Sequence, residues 1–270
     1  MYIELLFWYS FNHKLFHTFM NTTNQTYKKL VQSYLAASSS DIERQILEMT
    51  TSLLKIYSFD EYQTCPRPTH PNPEKQLETY FTLIAILISL RTTLENEQKA
   101  MKAFLTRYKN PEDVLQSSVE ELAEIIKPAG MPLKKAGAII KATKFISDNS
   151  RTQNFFEYLK SIPIDIAREK LLEIPGVGQK SADCILELGL DMPSIVIDTN
   201  MFRVLSRIFD FEWQSRASFT NEKQILEVKK LVDDNLSPDG LLYQVVHTML
   251  LLHGKFICKA KPMCSKCEFR

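Results

Sequence analysis

Apolar residues recur at helical spacing along most of the chain. After Ser40 they follow one another at steps of three and four residues, which is the period of one buried helix face. Glu43 stands three residues after Ser40, the spacing of a capping box, so a helix is predicted to begin there. The apolar positions of this first predicted helix are Ile42, Ile46, Met49, Leu53 and Ile56.

The same pattern predicts a series of helices in the rest of the chain. Breaks fall at Asn110-Pro111, at Pro128-Ala129-Gly130 and at Ile162-Pro163, because proline and glycine end helices or start new ones. The predicted helices span 74–90, 95–108, 117–127, 132–148, 153–160, 164–173, 179–190, 199–209, 221–235 and 239–253.

A cluster of prolines interrupts the pattern near the N-terminus. Pro66, Pro68, Pro71 and Pro73 cannot continue a helix, so they predict a linker over about 58–73. Residues 1–75 are therefore expected to form a helical extension and a proline-rich linker. The remainder is expected to form two helical lobes, one over 79–192 and a second over 193–270 that also takes in the segment before residue 79.

Composition favours helices over strands. The chain has only seven glycines in 270 residues, and strand-rich folds need glycine for turns and bulges, so the predicted fold class is all-α. The formal net charge is +1, so any nucleic-acid partner must be argued from local sites. The apolar run at 80–88 is shorter than the roughly 20 residues that cross a membrane, and it is predicted to be a buried core helix.

The sharpest local signal is a short turn between two predicted helices, Pro175-Gly176-Val177-Gly178. Two glycines within three residues indicate backbone that adopts positive φ or closely approaches another group. A turn that leads into a helix N-terminus also presents free amide hydrogens, which suit a phosphate. An ordinary connection between helices remains the alternative.

The residues around this turn carry a family resemblance. Ile174-Pro175-Gly176-Val177-Gly178 is followed by Lys180 and Ala182, and later by Val196-Ile197-Asp198-Thr199-Asn200. Over about residues 76–270 the sequence resembles the endonuclease III family of helix-hairpin-helix (HhH-GPD) DNA glycosylases. The resemblance implies a bilobal all-α fold that binds double-stranded DNA carrying damaged or abasic sites. It also implies a monomer in a reducing compartment, the cytoplasm of a prokaryote or the nucleus of a eukaryote, with no membrane partner.

The resemblance also implies roles for individual residues. Lys180 matches the family's nucleophile and Asp198 its catalytic carboxylate, and both are expected at the hinge between the lobes, facing a DNA-filled cleft. The hairpin is expected to bind DNA phosphate, together with a monovalent cation held by hairpin carbonyls. The groups that match this binding role are the backbones of Ile174, Gly176, Val177, Gly178 and Gln179.

Two further segments match parts of the family that probe DNA. Ser89–Thr93 corresponds to the segment whose side chain fills the space left by the flipped base. Arg91 holds the position where the family commonly has glutamine, and an exposed arginine bound to phosphate is an equal interpretation. The loop Pro128–Pro132 resembles a second loop that contacts the opposite strand.

The chemistry of base removal suits this pair of residues. Breaking the bond between base and sugar develops positive charge on the sugar, which a carboxylate stabilises. A lysine amine that attacks the same carbon forms a Schiff base, which permits β-elimination and strand cleavage. The resemblance therefore implies a bifunctional glycosylase and abasic-site lyase acting on damaged, oxidised pyrimidines. Alternatives are a thymine or uracil mismatch glycosylase, an 8-oxoguanine glycosylase, and a non-catalytic DNA-binding protein.

Three of the five cysteines lie close together near the C-terminus, at Cys258, Cys264 and Cys267. Thiolates at such spacing bind iron or zinc, and buried structural thiols are the alternative. The resemblance implies a 4Fe-4S cluster in a basic loop, but the first spacing is one residue short and the fourth cysteine is missing. A truncated C-terminus, a lost cluster and a different fourth ligand all remain open. The basic residues of this segment are Lys255, Lys259, Lys261, Lys266 and Arg270.

Overall fold

A computed structural model of the chain describes residues 13–57, 75–150, 154–209, 222–267 and 269. Every regular element in these ranges is a helix, and no β-strand occurs among them. The all-α class predicted from the scarcity of glycine is therefore confirmed. None of the described helices combines the length and apolar character needed to cross a membrane.

Thirteen α-helices occur in the described ranges, with three short helical turns of other types. The helices are α1 (His13–Ala37), α2 (Asp41–Leu53), α3 (Lys75–Ser89), α4 (Leu94–Arg107), α5 (Pro111–Leu115), α6 (Val119–Ile125), α7 (Pro132–Asn149), α8 (Phe155–Lys160), α9 (Ile164–Leu172), α10 (Gln179–Cys184), α11 (Thr199–Ile208), α12 (Glu222–Asn235) and α13 (Gly240–Phe256). The other turns are 3-10 helices at Lys127–Ala129 and Cys264–Lys266 and a π-helix at Ile185–Gly189. The predicted linker at 58–73 lies outside the described residues.

Side-chain caps fix where several helices begin. Ser40 accepts a hydrogen bond from the backbone N–H of Glu43, as the sequence predicted for α2. The second half of the capping box does not form, because the carboxylate of Glu43 accepts instead from the N–H and hydroxyl of Ser237, at 2.8 and 2.7 Å. Helix α5 was not predicted, although Asn110 caps it and Pro111 occupies its first turn.

The chain divides into two compact units. One contains the described parts of Met1–Gln63 and Ile197–Arg270, and the other those of Thr64–Val196. Helices α1 and α2 thus pack within the same unit as the C-terminal part of the chain. Besides the bonds between Ser237 and Glu43, two more fasten them there: the Tyr34 hydroxyl donates to Asp239 at 3.1 Å and the Ser40 hydroxyl to Asn235 at 2.8 Å.

The unit Thr64–Val196 is built around α3, whose apolar run is buried as predicted. Its residues from Leu83 to Ile88 are at most 6% exposed, and each buried aliphatic side chain contributes about 1.5–3 kcal/mol. Buried hydroxyls on this helix are hydrogen-bonded: those of Tyr80 and Thr143 lie 2.9 Å apart, and that of Thr79 donates to the carbonyl of Gly189 at 2.8 Å. The turn that carries the family motif is supported by the same core, since Ile174 and Val177 belong to it.

The second unit has its own core, and in it α13 makes an unusually close approach to α11. A Cβ atom added at Gly254 would lie 2.6 Å from the carbonyl oxygen of Asn200. Real Cβ atoms do not come this close to backbone, so only glycine permits the contact. Gly254 therefore positions the first turn of α11, where Asp198 is the N-cap residue.

Candidate active site

The helix-hairpin-helix motif consists of α9, a tight turn and α10. The turn is closed by a hydrogen bond from the N–H of Val177 to the carbonyl of Ile174, at 3.0 Å, and both side chains are buried. Gly176 has a φ of 90°, and a Cβ atom there would lie 3.1 Å from that of Ala138. The turn is thus anchored by its apolar residues, while Gly176, Gly178 and Gln179 are exposed.

The helix after the turn is shorter than predicted. The pattern indicated one helix over 179–190, but the α-helix ends at Cys184 and a π-helix continues over Ile185–Gly189. The backbone itself shows the change, because the N–H of Leu190 bonds to the carbonyl of Ile185, five residues earlier. Apolar spacing did not indicate the change, because the π-helical segment is only five residues long.

A partly buried ion pair holds α10 against α9. Nε of Arg168 lies 2.9 Å from Oδ1 of Asp183, which also accepts from the hydroxyl of Ser194 at 2.8 Å. Arg168 reaches Asp165 on its other side, at 2.8 Å. The helix after the turn is therefore fixed in place three residues beyond Lys180.

Lys180 lies in the first turn of α10, two residues after Gly178, and its side chain is exposed. Gly178 is the N-cap residue, and no side-chain hydrogen bond caps this helix among the described residues. An exposed amine at this position is accessible to a macromolecular substrate.

Asp198 is buried and rigidly held as the N-cap of α11. Its side chain is 8% exposed, and Oδ1 accepts from the N–H groups of Asn200 and Met201 at 3.0 and 2.7 Å. Oδ2 accepts from the side-chain amide of Asn200 at 2.9 Å. These three hydrogen bonds fix both oxygens of the side chain in place.

Asn200 is in turn held by an arginine that sequence analysis did not single out. Nη2 of Arg203 donates to Oδ1 of Asn200 at 2.8 Å, and this bond orients the amide so that its NH₂ group faces Asp198. The same guanidinium donates to the carbonyls of Gly254 and Cys258 at 2.8 and 2.7 Å. Burial lowers the pKa of Arg203, as does the neighbouring charge of Arg207. The spacing of Arg203, one helical turn after Asn200, is the only sequence signal of this contact.

The residues that the structure describes do not gather the three C-terminal cysteines into a metal site. No group of three or more His, Cys, Asp or Glu side chains in the described ranges is arranged to hold a metal ion. Cys258 Sγ accepts from Arg207 at 3.2 Å, Cys267 Sγ lies 3.5 Å from Nε2 of His253, and Cys264 is exposed. This arrangement of the three thiols does not fit a 4Fe-4S cluster. Arg270, one of the basic residues of this segment, lies outside the described residues.

The two predicted catalytic residues belong to different units: Lys180 to Thr64–Val196 and Asp198 to the unit that contains Ile197–Arg270. The hairpin and Arg91 lie in the same unit as Lys180. Arg91 is exposed and has a φ of 53°, directly after the end of α3. Their roles in catalysis and DNA binding remain predictions.

Comparison with known proteins identifies the family to which this sequence is similar. Residues 84–227 match the HhH-GPD superfamily base excision DNA repair proteins. The chain is 32% identical over 206 residues to endonuclease III of Rickettsia conorii, covering 74% of this chain and 88% of that protein. With endonuclease III of Bacillus subtilis the identity is 29% over 199 residues, covering 73% and 79%.

Solved structures agree with the sequence relatives. A trapped endonuclease III–DNA covalent intermediate superimposes with a TM-score of 0.60 at 25% identity, covering 84% of this chain and 92% of that one. Family match, curated relatives and fold all point the same way. The chain is a member of the endonuclease III family of HhH-GPD base excision DNA repair proteins.

Proposed function

We propose that this DNA glycosylase is bifunctional: it removes oxidised pyrimidines from double-stranded DNA and then cleaves the strand at the abasic site. The observation that carries the proposal is the exposed amine of Lys180 in the first turn after the glycine hairpin. A related endonuclease III forms a covalent intermediate with DNA. Such an intermediate needs a nucleophile, and a lysine amine is one of the side chains able to supply it.

In the first step, the amine of Lys180 attacks the anomeric carbon of the damaged nucleotide. The bond to the base breaks as the lysine nitrogen loses a proton, and the base leaves with the bonding electrons and gains a proton. Positive charge develops on the sugar in this transition state, and the carboxylate of Asp198 stabilises it electrostatically. Because three hydrogen bonds hold that carboxylate in place, it needs little reorganisation during the reaction.

In the second step, the sugar ring opens and the lysine nitrogen becomes part of a Schiff base. Loss of a proton from the adjacent sugar carbon then expels the 3′ phosphate, which cleaves the strand by β-elimination. Hydrolysis of the Schiff base regenerates Lys180. A glycosylase that lacked the amine would stop after base removal.

The hairpin supplies DNA binding in this proposal. Exposed backbone at Gly176, Gly178 and Gln179 offers amide donors to a DNA phosphate, and Ile174 and Val177 anchor the turn in the core. Hairpin carbonyls would hold a monovalent cation. Arg91 contacts the DNA near the flipped base, and the protein acts as a monomer.

The proposal is tested with duplexes that carry one lesion each: thymine glycol, uracil or thymine in a mismatch, 8-oxoguanine, or an abasic site. Products are separated with and without alkali, because alkali cleaves abasic sites that the enzyme leaves intact. We expect thymine glycol and abasic duplexes to be cut without alkali. Preferential release of 8-oxoguanine or a mismatched base would replace the oxidised-pyrimidine assignment, and DNA binding without any product would indicate a non-catalytic protein.

A further inference from the structure

One buried lysine joins the two segments that carry the predicted DNA-probing loops. Lys135, in the first turn of α7, is only 4% exposed. Its amine donates at 2.7 Å to the carbonyl of Ile88 and at 2.7 Å to that of Ala129. Lysine is rarely buried, so two short hydrogen bonds to backbone oxygens indicate a specific role.

Both carbonyls lie at the ends of helical segments. Ile88 is in the last turn of α3, and Ala129 ends the 3-10 helix Lys127–Ala129. The last carbonyls of a helix lack partners within it, and the dipole there favours a cation. A single amine thus satisfies the ends of two helical segments that are far apart in sequence.

Within two residues of each of these ends the backbone has positive φ. Arg91 has a φ of 53°, Gly130 a φ of 72° and Met131 a φ of 48°. Positive φ costs a residue other than glycine about 1–2 kcal/mol. Such conformations persist only where the surroundings enforce them, and they concentrate at functional sites.

Large apolar side chains are exposed at and next to the residues with positive φ. Leu90 and Met131 are each 41% exposed, and Leu133 is 59% exposed. The exposed parts of these side chains contribute no burial to the fold, whereas unstacked bases offer apolar surface to them.

We propose that Lys135 is a positioning residue that holds the segments 89–93 and 128–132 in the paired conformation that inserts into DNA around the flipped base. The proposal rests on the function proposed above, because it assumes that these two segments meet DNA. Lys135 itself touches no base. It acts by fixing the backbone from which Leu90, Arg91 and Met131 project.

Glu97 on α4 carries a carboxyl group that interacts electrostatically with Lys135. Burial lowers the pKa of Lys135, and the charge of Glu97 on α4 opposes that shift. Burial also raises the pKa of Glu97 to about 7. Both groups lose hydration on folding, so neither gains stability from burial of its own charge.

The test uses a duplex that carries a stable tetrahydrofuran abasic analogue opposite 2-aminopurine. Unstacking of 2-aminopurine raises its fluorescence, which reports insertion of the loops at saturating protein. Lys135→Met keeps the length and apolar stem but removes both donors. Lys144→Met on the same helix is the matched control, because Lys144 is exposed. Lys135→Arg restores a charged donor group at the site.

We expect Lys135→Met to reduce the fluorescence rise by about fivefold or more, while its affinity for undamaged duplex stays within about twofold of wild type. Lys144→Met should match wild type, and Lys135→Arg should recover part of the signal. A full rise with Lys135→Met would overturn the inference alone. So would failure of that variant to fold, because the lysine would then support the core of its unit rather than the two loops. No rise with the wild-type protein would overturn the proposed function as well.

Discussion

The side-chain amide of Asn200 donates to Oδ2 of Asp198 at 2.9 Å, while its own oxygen accepts from Nη2 of Arg203 at 2.8 Å. An asparagine amide can rotate by half a turn and exchange its oxygen and nitrogen. The arginine removes that freedom, because only one orientation places an oxygen beside the guanidinium. The carboxylate proposed to stabilise the transition state is therefore oriented by a residue that it does not contact directly.

Removal of the Asn200 side chain should impair catalysis more than binding. Asn200→Ala leaves Oδ2 of Asp198 without this donor and frees the guanidinium of Arg203. We expect single-turnover excision to fall by about 10- to 100-fold, which corresponds to roughly 1.4–3 kcal/mol of transition-state stabilisation. Affinity for an abasic-analogue duplex should change by less than about threefold.

Asn149→Ala is the control for that experiment, because Asn149 is exposed at the end of α7 and its amide bonds to the backbone of Phe145. It should excise at the wild-type rate. Equal rates for Asn200→Ala and Asn149→Ala would show that Asp198 needs no support from Asn200.

Gly254 should tolerate no side chain. Gly254→Ala places a Cβ atom 2.6 Å from the carbonyl oxygen of Asn200, and backbone must move to relieve the clash. We expect about 1–3 kcal/mol of destabilisation, measured by denaturant unfolding, together with slower excision because the N-cap of α11 is displaced. Gly137→Ala is the counterpart on α7, where an added Cβ meets nothing within 4 Å. That variant should be as stable as wild type or more stable by up to about 1 kcal/mol, and equal losses in both variants would contradict the close approach.

Glu97 should make stability depend on pH. Its pKa is raised to about 7 in the folded protein from a usual 4.5, so the folded state binds the extra proton. The free energy of unfolding therefore falls as pH rises from about 4.5 to about 7, by up to about 3 kcal/mol. Glu97→Gln removes this group, so it should flatten that part of the curve and stabilise the protein at pH 8 relative to wild type.

Glu169→Gln is the control for Glu97→Gln, because it removes the same charge from an exposed position on α9. Glu169→Gln should leave the pH dependence of the free energy of unfolding as it is in wild type. If Glu97→Gln also followed the wild-type curve between about pH 4.5 and pH 7, the raised pKa of Glu97 would be refuted.

Most of the helical architecture could be predicted from sequence because it depends on local signals. Apolar spacing located the buried helix α3, and Ser40 marked the start of α2. The π-helix after Cys184 and the short helix α5 were missed, because apolar periodicity is insensitive to both. The long helix α1 was not predicted either. The partner of Glu43 was also missed, since it is Ser237, almost two hundred residues away in sequence.

The motif residues could be recognised from their types and spacing, but their supports could not. Lys135 resembles any other helical lysine in the sequence. Only the three-dimensional structure shows that its amine donates to the last carbonyls of two helical segments. The roles of Asn200 and Arg203 likewise could not be predicted, because they depend on the contact between α11 and α13 that Gly254 permits. The cysteine spacing suggested a cluster that the described arrangement does not fit.

Reduction with borohydride in the presence of abasic-site DNA tests the central claim most directly, because it converts a Schiff base into a stable covalent bond. Wild-type protein should be trapped in a complex that survives denaturing electrophoresis, whereas Lys180→Gln should lose at least about 100-fold of the trapping yield. Lys170→Gln, which removes a lysine paired with Glu173 before the turn, should trap as wild type does. Efficient trapping by Lys180→Gln, or none by wild type, would contradict the assignment of Lys180 as the nucleophile.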